Sequence, residues 1–300
     1  MTTSRTCRSL EEQFTESLVE THWLAQHLED QNIRVIEIDP APLPPNIVGH
    51  TPNSIVLDWK IDLWNKTRRD FVTGRDFQNL MERAGIANDT TVVCCSLVRQ
   101  FATYLFWFLK YSNHKKAKVL NGGLEKWISD GLPLTNEFKA LSRTAISRYN
   151  AGNPNTNLRV LRDYVLKNIQ NKGVILVDAR APQEYTGELI NVPELPQEGS
   201  LRSGHILGAK HVFFEENFLP DGRFKPTKEL KQIYVSRGIR PDEEIITYCR
   251  SGHRATVIWF VLSQLLSYPA VKVYDGSWTE WGNLVGAPIE KTYAKDSSLA

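Results

Sequence analysis

The stretch Ile245-Ile246-Thr247-Tyr248-Cys249-Arg250-Ser251-Gly252-His253-Arg254-Ala255 decides how this chain is read. Ile245 to Tyr248 reads as a buried strand, and Ala255-Thr256-Val257-Ile258-Trp259-Phe260-Val261-Leu262 directly afterwards reads as a helix. A cysteine between a strand end and a helix start sits where backbone N–H groups converge and the helix dipole is positive. That field favours thiolate over thiol, and Arg250, His253 and Arg254 within five positions push the same way. Gly252 permits the left-handed backbone such a loop needs. The loop is expected to hold a nucleophilic thiolate, Cys249, in an anion cradle, and not an inert buried cysteine among solvated arginines.

Working outward, the chain repeats itself. Thr91-Val92-Val93-Cys94-Cys95 matches Ile245 to Cys249, and Lys118-Val119-Leu120-Asn121-Gly122-Gly123 matches Lys272-Val273-Tyr274-Asp275-Gly276-Ser277. Cys95 and Cys249, Gly122 and Gly276, and Trp127 and Trp281 are each 154 positions apart. Upstream, Ile36 to Asp39 pairs with Leu176 to Asp178, and Gly49-His50 pairs with Gly204-His205. Asp178 and His205 are 27 positions apart, Asp39 and His50 only 11, so the second half carries an insert at Gly187–Leu201, rich in Pro, Glu and Gly. The polar, aperiodic stretch 133–157 reads as a linker. The division is therefore an N-terminal domain 1–132, a linker 133–157 and a C-terminal domain 158–300. Each half alternates strands and helices, which implies an α/β fold: two tandem domains, each an open parallel sheet with helices on both faces. In such sheets ligands bind outside the carboxyl ends of the strands, where Cys249 falls.

Composition bounds the function. Three hundred residues supply a core for each of two domains, and a net charge of +2 gives no strong electrostatic bias. No basic run and no stretch of 18 apolar residues occurs, so nucleic-acid and membrane partners are not expected. The four cysteines, Cys7, Cys94, Cys95 and Cys249, form no disulfide framework and point to a reducing compartment. Met1 to Arg8 lacks the apolar core of a signal peptide, so a cytoplasmic location is the expectation. The seven histidines match no metal-ligand spacing.

Further motifs place the chain. Leu18-Val19 with Trp23-Leu24-Ala25, Asp178-Ala179-Arg180 with Glu184-Tyr185 and Gly187, Gly204-His205-Ile206 with Gly208-Ala209, and Asp275-Gly276 with Trp278 are in the order seen in two-domain rhodaneses. With the cysteine loop, the chain resembles the two-domain rhodanese and thiosulfate sulfurtransferase family over nearly its whole length. The resemblance implies a double displacement. Cys249 takes the outer sulfur of thiosulfate, releases sulfite, and passes the sulfur from a persulfide to cyanide or another thiophile. A low-pKa nucleophile in a small anion pocket suits that ping-pong route, and no metal or organic cofactor is required. The relatives that hydrolyse phosphate esters have a loop one residue longer, Cys-x5-Arg. Here Arg254 closes a loop of six, whose smaller cradle suits a sulfur atom.

Arg250, Ser251, Gly252, His253, Arg254 and Arg180 are the candidate substrate-binding residues, with Arg180 expected to order the wall through carboxylates. Mercaptopyruvate-specific relatives tend to have small residues at loop position two. Arg250 instead resembles the thiosulfate type, where a cation can pair with sulfonate oxygens. Glu184 departs from the arginine of the animal enzymes, and Arg254 is expected to compensate. In the first copy Val98 replaces the loop glycine and Leu97 adds bulk, so Cys95 is expected to be unreactive and its loop to close the interdomain cleft. Tyr104 to Phe108 reads as a helix buried between the domains. The partners implied are a small-molecule sulfur donor and acceptor, and no feature demands more than a monomer. The rival readings are a 3-mercaptopyruvate sulfurtransferase and a persulfide carrier serving a protein acceptor, the latter favoured by a charged pocket mouth built from the Gly187–Leu201 insert.

Overall fold

Short runs of Val, Ile and Leu, too apolar for a sheet with one wet face, pair as parallel strands buried on both sides. The computed structural model describes residues 16–39, 49–137, 139–191 and 198–291. Cys7 and the Pro-rich part of the insert, 192–197, lie outside them.

In the first half, β1 (Leu18–Val19), α1 (Thr21–Gln26) and β2 (Ile33–Ile38) are followed by β3 (Ile55–Leu57) and α2 (Trp59–Asp62). The ribbon β4 (Trp64–Asn65) and β5 (Asp70–Phe71) precedes α3 (Arg75–Arg83), β6 (Thr91–Cys95), α4 (Gln100–Tyr111), β7 (Ala117–Leu120) and α5 (Gly123–Ser129). The sheet runs β1-β7-β6-β2-β3, all parallel.

The second half repeats the plan. It contains α6 (Arg162–Asn168), β8 (Val174–Asp178), α7 (Pro182–Thr186), β9 (His205–Ile206) and β10 (Lys210–His211). Then come α8 (Thr227–Val235), β11 (Glu244–Tyr248), α9 (His253–Phe260), β12 (Val271–Val273), α10 (Ser277–Trp281) and β13 (Ile289–Glu290). Its sheet runs β10-β8-β11-β12, again parallel, and an isolated parallel bridge from Arg159 to Val273 stands where β1 stands in the first sheet. The helix expected to run on to Leu262 gives way at Val261 to a π-helical turn, Val261–Leu265.

Two contacts fix how the halves meet. Helix α4 carries Ala102, Leu105, Phe106, Trp107, Phe108 and Leu109 on successive faces and has ten of its twelve residues buried, so it must be covered all round. It packs against α9, with the Thr103 and Thr256 hydroxyls 3.0 Å apart and the Phe106 and Phe260 rings edge to face at 5.0 Å. At the other end of the cleft Asp275 accepts Nε and Nη2 of Arg159 at 2.6 and 3.1 Å and Nη1 of Arg69 at 3.2 Å. Arg159 also donates to Asp70, which ties the β4–β5 ribbon to the turn after β12. The stretch 133–157 is fastened to the first half by backbone bonds, from Thr135 with His50 to Ile146 with Glu82 and Asn155 with Tyr111.

Candidate active site

Strand β11 lies between β8 and β12, so its carboxyl end opens at the middle of the second sheet, and Cys249 is the first residue past it. The Cys249 amide donates to Ser277 Oγ at 3.1 Å, and Trp278 N donates back to the Cys249 carbonyl at 3.0 Å. Thr279 holds the Arg250 carbonyl through both its amide and its hydroxyl. The loop is therefore pinned by the start of α10. Gly252 then turns at φ +98°, and a Cβ there would lie 3.2–3.3 Å from the Cβ, Cα and carbonyl oxygen of Asp275. Only glycine combines that backbone with that approach. The turn aims the Gly252 amide at Cys249 Sγ, 3.2 Å away.

Cys249 is 1% exposed and lines a cavity of about 160 Å³. The second half contributes Arg250, Ser251, His253, Arg254 and, from the insert, Glu198. The first half contributes Trp59, Val98, Gln100 and Phe101, so the thiol lies under a roof supplied by the other domain. Trp59 is placed by Asp58, whose carboxylate caps α2 by accepting the amides of Lys60 and Ile61.

The cations are committed elsewhere. Arg250, 1% exposed, donates Nε to Glu184 at 2.9 Å, Nη1 to the Glu198 carbonyl at 3.0 Å and Nη2 to the Ile190 carbonyl at 3.2 Å. Arg254 donates to both oxygens of Glu184, at 2.5 and 3.2 Å. Burial alone would raise the Glu184 carboxyl, but Arg254, with Arg180 and Arg250, more than offsets it and holds the pKa at about 2. Arg254 does not stand in for an arginine missing at position 184: Glu184 neutralises it. Arg180 is fully buried, with Nε and Nη2 on Asp178, Nη2 also on the Gly204 carbonyl, and its guanidinium 4.5 Å from the Trp278 ring centre. It braces the wall behind the loop.

His253 opens α9 in an aromatic box of Trp59, Phe101 and Tyr104, at 4.2, 4.6 and 4.3 Å between ring centres. Burial, then the nearby Arg69, Arg254 and Lys60 charges, push its pKa well below 6.5. The imidazole is neutral and adds no charge to the loop, contrary to the expectation from sequence. Ser251 Oγ donates to Glu198 Oε2 at 2.6 Å and lies 3.3 Å from His253 Nδ1.

The equivalent loop after β6 is arranged differently. The amides of Leu97 and Val98 and the Ser96 hydroxyl all donate to the Asp39 carboxylate, at 3.1, 2.9 and 2.5 Å. A built-in anion fills that cradle. Cys95 is fully buried, and burial, followed by the charges of Glu37 and Asp39, pushes its thiol far above the ordinary value. The same loop and the start of α4 present Val98, Gln100 and Phe101 to the Cys249 cavity.

Glu198, Trp59 and Phe101 were not singled out from sequence. Only Glu198 left a trace, as a carboxylate within the insert that the first half lacks. Among the described residues no group of His, Cys, Asp and Glu could hold a metal ion, and no helix is long and apolar enough to cross a membrane. Cys94, Cys95 and Cys249 are free thiols.

A family model described as the rhodanese-like domain matches residues 20–130 and again 161–284. The chain is 47% identical over 281 residues to the sulfur carrier protein TtuD of Thermus thermophilus, spanning 92% of this chain and 97% of that one. It is 42% identical over 276 residues to a Saccharopolyspora erythraea protein provisionally named a thiosulfate sulfurtransferase, spanning 92% and 96%. The anaerobic ergothioneine biosynthesis enzyme of Chlorobium limicola superposes with a TM-score of 0.78 at 22% identity, over 93% of this chain and 71% of that one, a likeness of fold.

Proposed function

The chain belongs to the rhodanese-like domain family, and from that premise we propose that it is a sulfurtransferase working through a persulfide on Cys249. The observation that carries the reading is the Gly252 amide aimed at Cys249 Sγ at the mouth of the central strand, beneath a roof that leaves room for a small molecule. The thiolate attacks the outer sulfur of thiosulfate, the S–S bond breaks with its pair on sulfite, and the amide stabilises the sulfur that remains. Cyanide or another thiophile then attacks the outer sulfur and regenerates the thiolate, a ping-pong cycle. Thiosulfate as donor is supported by the names of several relatives, among them that of the Haloferax volcanii protein at 39% identity. Arg180, Arg250, Ser251, Gly252 and Arg254 shape the pocket.

One observation favours a second reading, a carrier that hands its sulfur to a protein. Glu198 brings a charge from the insert to the cavity, and the relative at 47% identity is named a sulfur carrier.

Intact-protein mass spectrometry after incubation with thiosulfate tests the proposal. A gain of about 32 Da, the mass of one sulfur in such a covalent intermediate, absent in Cys249→Ser and discharged by cyanide, is the expected result. No gain with thiosulfate, but a gain with a sulfur-loaded donor protein, would replace the first reading with the second.

A further inference from the structure

Building on the persulfide reading, we propose that Glu198, held by Ser251 at the cavity wall, is the proton acceptor through which the site passes its sulfur to a thiol. The same carboxylate sets a preference for thiols over dianionic acceptors.

The charges around the sulfur argue for this. Glu198 is the one carboxylate lining the cavity among the described residues, and it is 7% exposed. It is held twice, with its side chain accepting from Ser251 and its carbonyl accepting from Arg250. The cavity's two guanidiniums, Arg250 and Arg254, both end on Glu184. Two positive and two negative side chains therefore cancel before the cysteine is counted, and a thiolate or persulfide anion makes the site net negative. A dianion, thiosulfate included, then meets repulsion in a cavity of about 160 Å³, where charges are poorly screened, and it binds weakly without being shut out. A neutral thiol meets none, but it must lose a proton to react, because the thiolate is the nucleophile. Glu198 supplies the place for that proton.

His253 does not compete for the role. The single Ser251 hydroxyl hydrogen goes to Glu198, so the contact with His253 Nδ1 requires the hydrogen on Nδ1. The basic Nε2 is buried without a partner among the described residues, in a ring enclosed by Trp59, Phe101 and Tyr104. The other charges acting here are Lys60 and Arg69 of the first half, which reach His253, and Asp178 with Arg180 behind the loop.

The step balances without an oxidant. The acceptor's S–H proton passes to Glu198, and its sulfur bonds to the outer sulfur of the Cys249 persulfide. The bond from Sγ to that sulfur breaks with its pair on Sγ. Cys249 returns as thiolate, the product leaves as a persulfide anion, and Glu198 releases the acceptor's proton to solvent.

The test uses the whole chain loaded with polysulfide and freed of donor. Persulfide loss is followed by intact mass with 2-mercaptoethanol, a neutral thiol, and with sulfite, a dianion at pH 8 that needs no deprotonation. Glu198→Gln should slow discharge to the thiol at pH 7 by roughly 100-fold, the usual reach of a positioned base. The deficit should shrink as pH rises toward the acceptor's own pKa, while discharge to sulfite quickens several-fold. Ser251→Ala, which only loosens the carboxylate, should show the same pattern at about a tenth of the size, and serves if the first variant fails to fold. Equal loss with both acceptors, or no change with either, overturns the proposal for Glu198 alone. Wild-type protein that takes up no sulfur at Cys249 overturns it together with the persulfide reading.

Discussion

Arg254 holds both oxygens of Glu184, and the carboxylate sits at about 2 because Arg250 and Arg180 stand close by as well. This cluster of one carboxylate and three guanidiniums makes the cysteine loop part of the fold's ion-pair framework, so the loop's shape and the protein's acid stability are linked.

Glu184→Gln should cost about 3 kcal/mol or more of unfolding free energy, since it leaves two buried guanidiniums short of their carboxylate. Denaturant unfolding at pH 7 checks this. The freed cations should also lower the KM for thiosulfate. A variant as stable as the wild type would show that the cluster adds nothing to the fold.

The sign of the Glu184 effect with pH follows from its depressed pKa. The unfolded chain, with the group near 4.5, binds a proton that the folded chain refuses until about 2. The stabilisation is complete above pH 4.5 and fades as pH falls through that window, by roughly 3 kcal/mol in all. Unfolding midpoints between pH 5 and 2.5 should fall steeply in the wild type and much less in Glu184→Gln.

His253 acts in a window of its own. Its folded pKa is also depressed, so below about 6.5 the unfolded chain gains a proton that the folded chain excludes, and stability declines. His253→Phe keeps a ring in the box of Trp59, Phe101 and Tyr104 and should flatten the stability curve between pH 7.5 and 5. An unchanged slope there would mean the imidazole ionises in place.

Cys249→Ser should abolish sulfur uptake, and Cys95→Ser should leave most of it, because Asp39 already occupies the cradle beside Cys95. Mass spectrometry of both variants after thiosulfate decides. Equal losses would mean that both copies carry sulfur.

Gly252→Ala should cost about 1–2 kcal/mol, the penalty of a left-handed non-glycine residue. It should cost far more in sulfur uptake, because relief of the contact with Asp275 moves the amide away from Sγ. Normal uptake would show that this amide is dispensable.

Much of this was legible in the chain. The repeat spacing gave the two sheets, because each landmark sits at a strand end or helix start, where geometry tolerates few residue types. Cys249 was legible for the same reason: strand, loop glycine and helix are contiguous. What lay hidden was contributed from a distance. Arg254 meets Glu184 across 70 positions and Trp59 reaches His253 from the other domain, so no local pattern marks either contact. Loop charge alone suggested an anion trap, but buried carboxylates decide how much of that charge remains available. Asp39 was matched with Asp178 by position, yet the two do different work. One fills an amide cradle and the other anchors Arg180.

The roof over Cys249 bears on time as much as on chemistry. A persulfide in open water meets oxidants and stray thiols at every encounter, and its sulfur is soon lost. At 1% exposure, under Trp59 and Phe101, Cys249 can be approached only by what fits the opening between the two halves. On the proposed persulfide reading, storage life, and with it the chance that the sulfur reaches its recipient, is set by a domain whose own Cys95 is sealed away.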